Sequence, residues 1–399
     1  MINRPDYIAA IEPFIDKPLV KILAGIRRCG KSTIFEMLRE ELLRRGVGED
    51  QIICKRYTEM DIPENITAKQ MYDELTAAMA GKGHCYLLLD EIQEITGWEK
   101  AVNSLLESAD ADIYVTGSNS KLMSSEISTY LTGRYVSIPV YTLSFKEYLD
   151  FKADSTLSRR ELLEEYIRFG GFPIIALSEY DEQSAYQIVN GIYHTVVSRD
   201  IVKRHRINKQ DLFDRVVKYI IENMGKTFSA NSISTFLKSE HRKVSVESIY
   251  NYLRWLEQAL IIYPCERYDL QGKSILKTQE KYYLADVSLK YALLGYNRKM
   301  LDGAMENIVF LELKRRGYDV YIGKNETKEI DFVAARRDER IYVQVCVQLP
   351  EGSDREVGNL MEIKDHYPKY VVTLNDMDVG IENGIRIVHL QDFLLAETW

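Results

Sequence analysis

The segment from Gly25 to Ser32 constrains the fold more than any other part of this 399-residue chain. It reads Gly-Ile-Arg-Arg-Cys-Gly-Lys-Ser, with an apolar run at 19–24 before it and apolar residues at helical spacing over 32–45 after it. This GxxxxGK[ST] pattern between a strand and a helix is typical of a phosphate-binding loop, because glycines let main-chain N–H groups wrap around anionic oxygens. We therefore predict a phosphate site here.

Side chains in and beside this loop have distinct predicted roles. Lys31 would bring positive charge to the outer phosphates, and the Ser32 hydroxyl would bind Mg²⁺. The helix that begins here adds a favourable dipole. In isolation, the same residues could form a glycine turn with no ligand. The predicted nucleotide-binding residues are Gly25, Cys29, Gly30, Lys31, Ser32 and Thr33.

About sixty residues further on, an apolar run at 86–89 ends in two acids, Asp90 and Glu91. At the end of a strand beside the loop, Asp90 would hold the magnesium ion and Glu91 would polarise the attacking water. Alone, the two acids could simply open a loop. Together with Lys31 they predict a nucleoside triphosphatase site.

The apolar run at 113–116 leads into Gly117-Ser118-Asn119-Ser120. Ligands of open α/β folds bind at the carboxyl edge of the sheet, so Ser118 or Asn119 is predicted to contact the γ-phosphate or the attacking water. We count Asn119 among the predicted catalytic residues. The alternative is that Asn119 or Ser120 caps the following helix.

Periodicity divides the chain into four predicted domains. Strands at 19–24, 51–57, 84–90, 113–116 and 135–139 alternate with helices at 32–45, 67–80 and 98–108, which predicts an α/β domain with a parallel sheet over 1–150. Residues 151–210 read as a helical segment, broken at Gly170-Gly171-Phe172-Pro173. Three helices and two extended segments predict a winged helix over 211–294, followed by a further α/β domain over 295–399.

Several motifs together resemble a prokaryotic family of AAA-type P-loop ATPases whose C-terminal half is a domain of unknown function. They are GIRRCGKST, LLLDEIQ, TGSNS, the Leu-Thr-Gly-Arg at 131–134, LSFKEY and GGFP. The resemblance implies ATP with Mg²⁺ as the ligands, and an extra strand between the loop strand and the acid strand, for which 51–57 is the candidate in sequence. Arg134 matches the family's arginine after LTG, which could stabilise the transition state in a neighbouring subunit of a homo-oligomer. A surface salt bridge is the alternative.

The C-terminal segment resembles the restriction-endonuclease-like fold through Glu306, a strand with Asp331, and a strand with Gln344 and Cys346. In that pattern Asp331 and Gln344 are the metal ligands, and Cys346 takes the place of a lysine. Since a thiol cannot provide that cation, the expectation is a retained fold with its nuclease chemistry lost or altered.

Charge and composition bear on partners and location. The net charge is -8, but residues 201–290 hold 16 Lys and Arg against 10 Asp and Glu, a local balance of +6. The third helix of the winged-helix segment could enter DNA, led by Arg242, Lys243, Ser245 and Ser248, with Lys273 and Lys277 near the wing. A protein-contact module is the alternative.

No apolar stretch approaches the roughly 20 residues that cross a bilayer, and five scattered cysteines favour reduced thiols, so we expect a cytoplasmic protein without membrane partners.

Three functional hypotheses follow. The first is a magnesium-dependent ATPase whose nucleotide state repositions the winged-helix and C-terminal modules for a protein or DNA partner. The second is a nucleotide-gated binding or scaffold protein with negligible hydrolysis. The third is an ATP-assisted nuclease.

Overall fold

The structure is a computed structural model that describes residues 2–58, 66–123, 125–205, 207, 209–239, 242, 244–272, 274–326, 328–350 and 355–399. The chain forms two compact units. The first comprises Met1–Tyr141 with Gln258–Leu260, and the second comprises Thr142–Glu257 with Ile261–Trp399.

The first unit alternates strands and helices in the order that the sequence predicts. Its elements are α1 (Pro5–Ile11), β1 (Val20–Ala24), α2 (Lys31–Arg44), β2 (Ile52–Arg56), α3 (Ala68–Met79), β3 (Cys85–Asp90), α4 (Trp98–Ser108), β4 (Ala111–Gly117), α5 (Ser125–Tyr130) and β5 (Tyr135–Pro139). All five predicted strands and all three predicted helices are confirmed, with boundaries that differ by at most two residues.

The five strands form a parallel sheet in the order β2-β3-β4-β1-β5. Every residue of β1 and of β3 is buried, as expected where helices cover both faces of a parallel sheet. The strand between β1 and β3 is β4, whereas β2 lies at the edge. The expectation that 51–57 forms an extra strand between the loop strand and the acid strand in sequence is therefore confirmed, and in the sheet the strand between those two is β4. The edge position also leaves Cys54 exposed.

The second unit begins with helices and ends with a mixed α/β region. Its elements up to the first strands are α6 (Phe145–Phe151), α7 (Arg159–Phe169), α8 (Pro173–Ala176), α9 (Glu182–Val196), α10 (Lys203–His205), α11 (Gln210–Glu222), α12 (Ala230–Ser239), α13 (Val246–Gln258), β6 (Ile262–Asp269) and β7 (Ser274–Leu284). The remaining elements are α14 (Ser288–Leu294), α15 (Leu301–Arg315), β8 (Asp319–Asn325), β9 (Lys328–Arg336), β10 (Glu339–Val345), α16 (Arg355–Met361), β11 (Lys369–Thr373), β12 (Gly380–Glu382), β13 (Ile385–His389) and α17 (Leu390–Leu395).

Local signals explain two helix boundaries in this unit. The Ser144 hydroxyl accepts a hydrogen bond from the main chain of Glu147, whose carboxylate accepts one from the main chain of Ser144, at 3.1 and 2.8 Å. This reciprocal pair is a capping box, and it fixes where α6 begins. The predicted break after α7 is confirmed, and there the Gly171 N–H donates to Asp286 at 2.8 Å.

The strands of the predicted wing do not stand apart from the C-terminal strands. One eight-stranded sheet has the order β12-β13-β11-β10-β9-β8-β6-β7, with β6 pairing β7 antiparallel and β8 parallel. The predicted succession of three helices and two strands over 211–294 is present, and the winged-helix identity and the boundary at 294 stay predictions. Within the described part of the chain, no helix has both the length and the apolar character needed to cross a membrane.

Candidate functional site

The loop between β1 and α2 has the tight geometry that its glycines allow. Gly30 has a φ of 104°, a value that favours glycine. A Cβ at Gly25 would lie 2.1 Å from the carbonyl oxygen of Val140, so no larger residue fits there without movement of the main chain. Cys29 is buried within the loop, and Thr33 is exposed in the first turn of α2.

Lys31 lies folded against this loop. Its ammonium donates to the carbonyl oxygens of Gly25 and Ile26 at 2.9 and 3.3 Å, and it is 3.7 Å from a carboxylate oxygen of Glu91. The side chain is 3% exposed. The ammonium is thus confined to the inside of the loop, where it could exchange these carbonyls for phosphate oxygens.

Asp90, the last residue of β3, accepts hydrogen bonds from one residue of α2 and one residue of β4. The hydroxyl of Ser32 donates to Asp90 Oδ2 at 2.7 Å, and the hydroxyl of Thr116 donates to Asp90 Oδ1. Arg56 Nε also lies 3.1 Å from Asp90 Oδ2. A hydroxyl and a carboxylate are the oxygen ligands that Mg²⁺ prefers, so Ser32 and Asp90 fit the predicted magnesium site. The contacts with Thr116 and Arg56 were not foreseen from the sequence.

Glu91 occupies a left-handed backbone position, with a φ of 55°. Such a conformation is uncommon for a residue with a side chain and is often found at functional sites. Its carboxylate accepts hydrogen bonds from Gln93 Nε2 and from Ser118 Oγ, the latter at 3.2 Å. Burial acts to raise the pKa of Glu91, but the charges of Lys31 and Arg27 together with the hydrogen bonds from Gln93 and Ser118 outweigh it, so the pKa is lowered and the group is anionic.

Ser118 and Asn119 take different positions at this edge. Ser118 contacts Glu91, whereas the amide oxygen of Asn119 accepts a hydrogen bond of 2.8 Å from the main chain of Lys121. That bond is the capping alternative considered for Asn119. A role for Asn119 towards the γ-phosphate stays a prediction. Ser118 and Gln93 belong to the candidate site because both contact the carboxylate of Glu91.

Arg134 lies in an ion pair within its own chain. Its guanidinium donates to Glu107 at 2.6 Å and to Asn103 at 2.9 Å. This is the salt bridge weighed as the alternative for Arg134, and a role in a neighbouring subunit stays a prediction. Arg27, in the loop itself, pairs with Glu94 at 3.4 Å and lies 4.0 Å from Glu91.

Arg4, which was not among the predicted site residues, contacts the phosphate-binding loop from the N-terminal segment. The residue is 1% exposed and donates to the carbonyl oxygens of Cys29 and Tyr141 at 2.8 and 3.0 Å. Its guanidinium also lies 4.5 Å from the centre of the Tyr7 ring. Nothing local in the sequence marks Arg4, because its partners are distant in the chain.

At the start of α13, the residues predicted to lead a DNA-reading helix have partners within the chain. Arg242 pairs with Asp211, and the hydroxyls of Ser245 and Ser248 lie 2.8 Å apart. Ser245 also accepts from the main chain of Ser248 at 3.1 Å, which makes it a helix cap. Lys243, Lys273 and the side chain of Lys277 lie outside the described residues.

In the C-terminal region, the structure brings the predicted metal residues together. Gln344 Oε1 accepts from the main chain of Asp331 at 3.2 Å, and Asp331 Oδ2 accepts from the main chain of Val345 at 2.8 Å. Cys346 is buried, and burial raises the pKa of its thiol to about 12. The neutral thiol supplies no cation there.

Comparisons with known proteins agree with the first unit's geometry. Residues 17–149 match the family model described as an AAA domain, and residues 160–299 match a domain of unknown function, DUF8612. The solved Walker-type ATPase PABY2304 of Pyrococcus abyssi has a TM-score of 0.53 and 14% identity, covering 73% of this chain and 96% of its own. At that identity the likeness shows the fold alone. The fold and the loop define an AAA-type P-loop NTPase.

Two relatives with more than 30% identity match over most of the chain. An uncharacterised protein of Haemophilus influenzae is 36% identical over 398 residues, which is 99% of each chain. The uncharacterised protein MJ1544 of Methanocaldococcus jannaschii is 31% identical over 379 residues, covering 90% of this chain and 82% of its own. The chain belongs to the same family as these proteins, an AAA-type ATPase family.

Proposed function

We propose that the protein hydrolyses ATP in the presence of Mg²⁺ at the loop of the first unit. The observation that carries the proposal is the 2.7 Å hydrogen bond from Ser32 to Asp90, with Glu91 beside Lys31 at 3.7 Å. It places a hydroxyl, two carboxylates and an ammonium within one small region. Those are the groups that phosphoryl transfer to water requires.

Each group has a role in this proposal. Loop N–H groups and Lys31 hold the phosphates, and Ser32 and Asp90 hold Mg²⁺, which when bound neutralises charge on the phosphate oxygens. Glu91 orients a water and accepts its proton while the water oxygen bonds to the γ-phosphorus and the bond to the ADP oxygen breaks. Gln93 and Ser118 keep the Glu91 carboxylate in one orientation. The choice of adenine rests on the family, because a phosphate loop reads no base.

We further propose that the nucleotide state controls the modules over 211–399 for a partner in the cytoplasm. The positive balance of residues 201–290 supports DNA as that partner. The internal pairing of Arg242 and the capping role of Ser245 support the alternative of a protein partner. A homo-oligomer in which Arg134 leaves Glu107 to reach a neighbour's site is part of the same proposal.

A second candidate function is nucleotide-gated binding with negligible hydrolysis. Arg56 favours it, because its guanidinium 3.1 Å from Asp90 competes with a metal ion for the same carboxylate. If Arg56 stays in place when nucleotide binds, the metal would be held weakly and turnover would be slow.

Phosphate release distinguishes the two candidates. The full chain is incubated with ATP and Mg²⁺, alone and with DNA, and compared with Glu91→Gln and with Glu36→Gln, a matched change at an exposed position of α2. Hydrolysis is expected to fall by roughly 100-fold or more in Glu91→Gln while ATP binding persists, and to be unchanged in Glu36→Gln. ATP binding by the wild type without phosphate release under any of these conditions would support the second candidate.

A further inference from the structure

A pocket of about 380 Å³ in the second unit runs along one face of α13. Ser248, Asn251, Tyr252 and Trp255 line it, and their spacing places them on the same side of the helix. The rest of the lining comes from the segment 205–212 and from the two residues before α13. Among the described residues that line the pocket, none is acidic. All of them belong to the second unit, so this pocket is not part of the nucleotide loop.

Trp255 and His205 form a flat aromatic surface in this pocket. Their ring centroids lie 4.4 Å apart and their planes differ by 12°, so the two rings are stacked in parallel. The ring of Tyr252 lies 5.5 Å from that of Trp255. Both Trp255 and His205 are only partly buried. Unstacked bases of nucleic acids bind on the faces of such aromatic side chains.

Hydrogen-bonding groups share the same face of α13. Asn251 precedes Trp255 by one helical turn, and Ser248 precedes Asn251 by another. The hydroxyls of Ser245 and Ser248 lie 2.8 Å apart at the start of the helix. An amide and a hydroxyl can each donate and accept, as recognition of the edge of a base requires. The pocket therefore combines a stacking surface with groups that suit a base edge.

The segment that supplies His205 is strongly basic. Residues 203–209 contain four Lys and Arg and no Asp or Glu. Lys203, Arg204 and Lys209 are exposed, and Lys209 also lines the pocket. A π-helical turn over Val197–Val202 comes directly before this segment, and such turns are rare and often lie beside functional sites. Exposed positive charge next to an aromatic surface is complementary to the phosphates of a nucleic acid.

An unpaired base fits this pocket better than a base pair does. Within a duplex, neighbouring bases cover both faces of each base, so no face is left to stack on a side chain. The start of α13 is also poorly suited to reading a duplex, because Arg242 pairs with Asp211 and Ser245 caps the helix. The geometry therefore favours a single strand.

We propose that the pocket formed by His205 and Trp255 binds an unpaired base of single-stranded DNA or RNA. The base continues the stack of the two rings, and the phosphates on either side of it contact the basic residues of 203–209. Since every base has a face that can stack, the site accepts many sequences. This inference rests on the nucleic-acid partner of the proposed function, but it does not require ATP hydrolysis.

Binding is measured with the full chain in the absence of ATP, so that failure of hydrolysis cannot affect the result. Labelled oligonucleotides of about 12 nucleotides, as single-stranded DNA, single-stranded RNA and duplex DNA of one sequence, are titrated by fluorescence anisotropy. Tryptophan fluorescence is followed in parallel with unlabelled strands. The variants are Trp255→Leu, Trp255→Phe and Lys209→Gln. Lys364→Gln is the matched control for Lys209→Gln, because Lys364 is an exposed lysine of the same unit outside the pocket.

The wild type and Lys364→Gln are expected to bind a single strand at least 10-fold more tightly than the duplex, with quenching of tryptophan fluorescence. Trp255→Leu should bind roughly 10-fold more weakly, because it removes a stacking ring. Trp255→Phe should keep the affinity and lose most of the quenching. Lys209→Gln should bind more weakly and show a smaller dependence of affinity on salt. The arms with DNA and RNA show which strand is preferred.

The outcomes separate this inference from the proposed function. Equal or tighter binding of the duplex overturns the inference and leaves DNA as the partner. Binding of no nucleic acid overturns both and supports a protein partner. Single-strand binding without quenching, or with unchanged affinity in a folded Trp255→Leu, overturns the pocket as the site. If Trp255→Leu does not fold, as thermal melting would show, quenching that persists in Trp255→Phe has the same meaning.

Discussion

The hydroxyl of Ser32 donates a hydrogen bond of 2.7 Å to the carboxylate of Asp90, across 58 positions of sequence. This contact joins the first turn of α2 to the last residue of β3, although β3 is not adjacent to β1 in the sheet. The two residues therefore form one oxygen-ligand pair at the carboxyl edge of the sheet, beside the ammonium of Lys31.

Replacing Ser32 by Ala should weaken the binding of ATP with Mg²⁺ but not that of ATP alone. The hydroxyl is one of two predicted metal ligands, and its loss should lower the affinity for the magnesium complex by roughly 10-fold or more. Calorimetry with and without Mg²⁺ measures the difference. Ser104→Ala, at an exposed position of α4, is the control. Equal weakening in both titrations would mean that Ser32 does not act through the metal.

Gln93 is expected to act as a positioning residue for Glu91. Its amide and the Ser118 hydroxyl both donate to Glu91 Oε2, so Gln93→Leu frees the carboxylate to leave its orientation. The kcat for ATP hydrolysis should fall by roughly 10-fold while KM changes little, because the phosphates are held by other groups. Steady-state kinetics give both constants. A raised KM at unchanged kcat would assign Gln93 to substrate binding instead.

Arg4 should prove necessary for the conformation of the loop. Arg4→Met leaves two buried carbonyls without their donor, at a cost of roughly 2 to 5 kcal/mol. We expect a lower melting temperature for the first unit and weaker binding of ATP, both measured by calorimetry. Arg44→Met serves as the control, since Arg44 is 73% exposed at the end of α2. Unchanged ATP affinity in a destabilised Arg4→Met would show that Arg4 supports the fold and not the loop.

Glu257 should make the second unit less stable as pH rises. Burial and the nearby charge of Glu280 raise the pKa of Glu257 to about 7, although Arg254 opposes the shift. The folded state therefore binds the proton more tightly than the unfolded state, and stability is lost as pH rises from about 4.5 to about 7. Above that range, Glu257→Gln should be more stable than the wild type by roughly 1 to 3 kcal/mol.

Calorimetric melting at pH 8 and near pH 4.5 tests this sign for Glu257. The gain in Glu257→Gln should be present at the higher pH and absent at the lower one. Glu247→Gln, an exposed change on the same helix, should show neither. A gain that is equal at both values of pH would rule out ionisation of Glu257 as its cause.

The first unit was predictable from sequence because its signals are local. Alternating apolar runs give the strands, and the GxxxxGK[ST] pattern with Asp90 and Glu91 gives the candidate site. The order of strands was not predictable in the same way. Which strand lies between β1 and β3 depends on packing across the sheet, where β4 takes that position and β2 lies at the edge.

Residues whose contacts in the structure are not encoded by a local sequence pattern were also not predicted. Arg4 contacts the loop from 25 positions away, and Gln93 contacts Glu91 through a turn that periodicity does not reveal. Lys281 is the clearest case. Its ammonium, from β7, lies 2.8 Å from Glu329 and 3.8 Å from Asp331, two acids of β9 that follow it by about fifty residues in the sequence.

Calorimetric titration of ATP with Mg²⁺ into the wild type and into Lys31→Met tests the central claim most directly. The account predicts saturable binding by the wild type and an affinity at least 10-fold lower in Lys31→Met, because the ammonium is confined inside the loop and its contacts with phosphate are charge-assisted. The absence of binding by folded wild-type protein, or equal affinity in the two proteins, would contradict it.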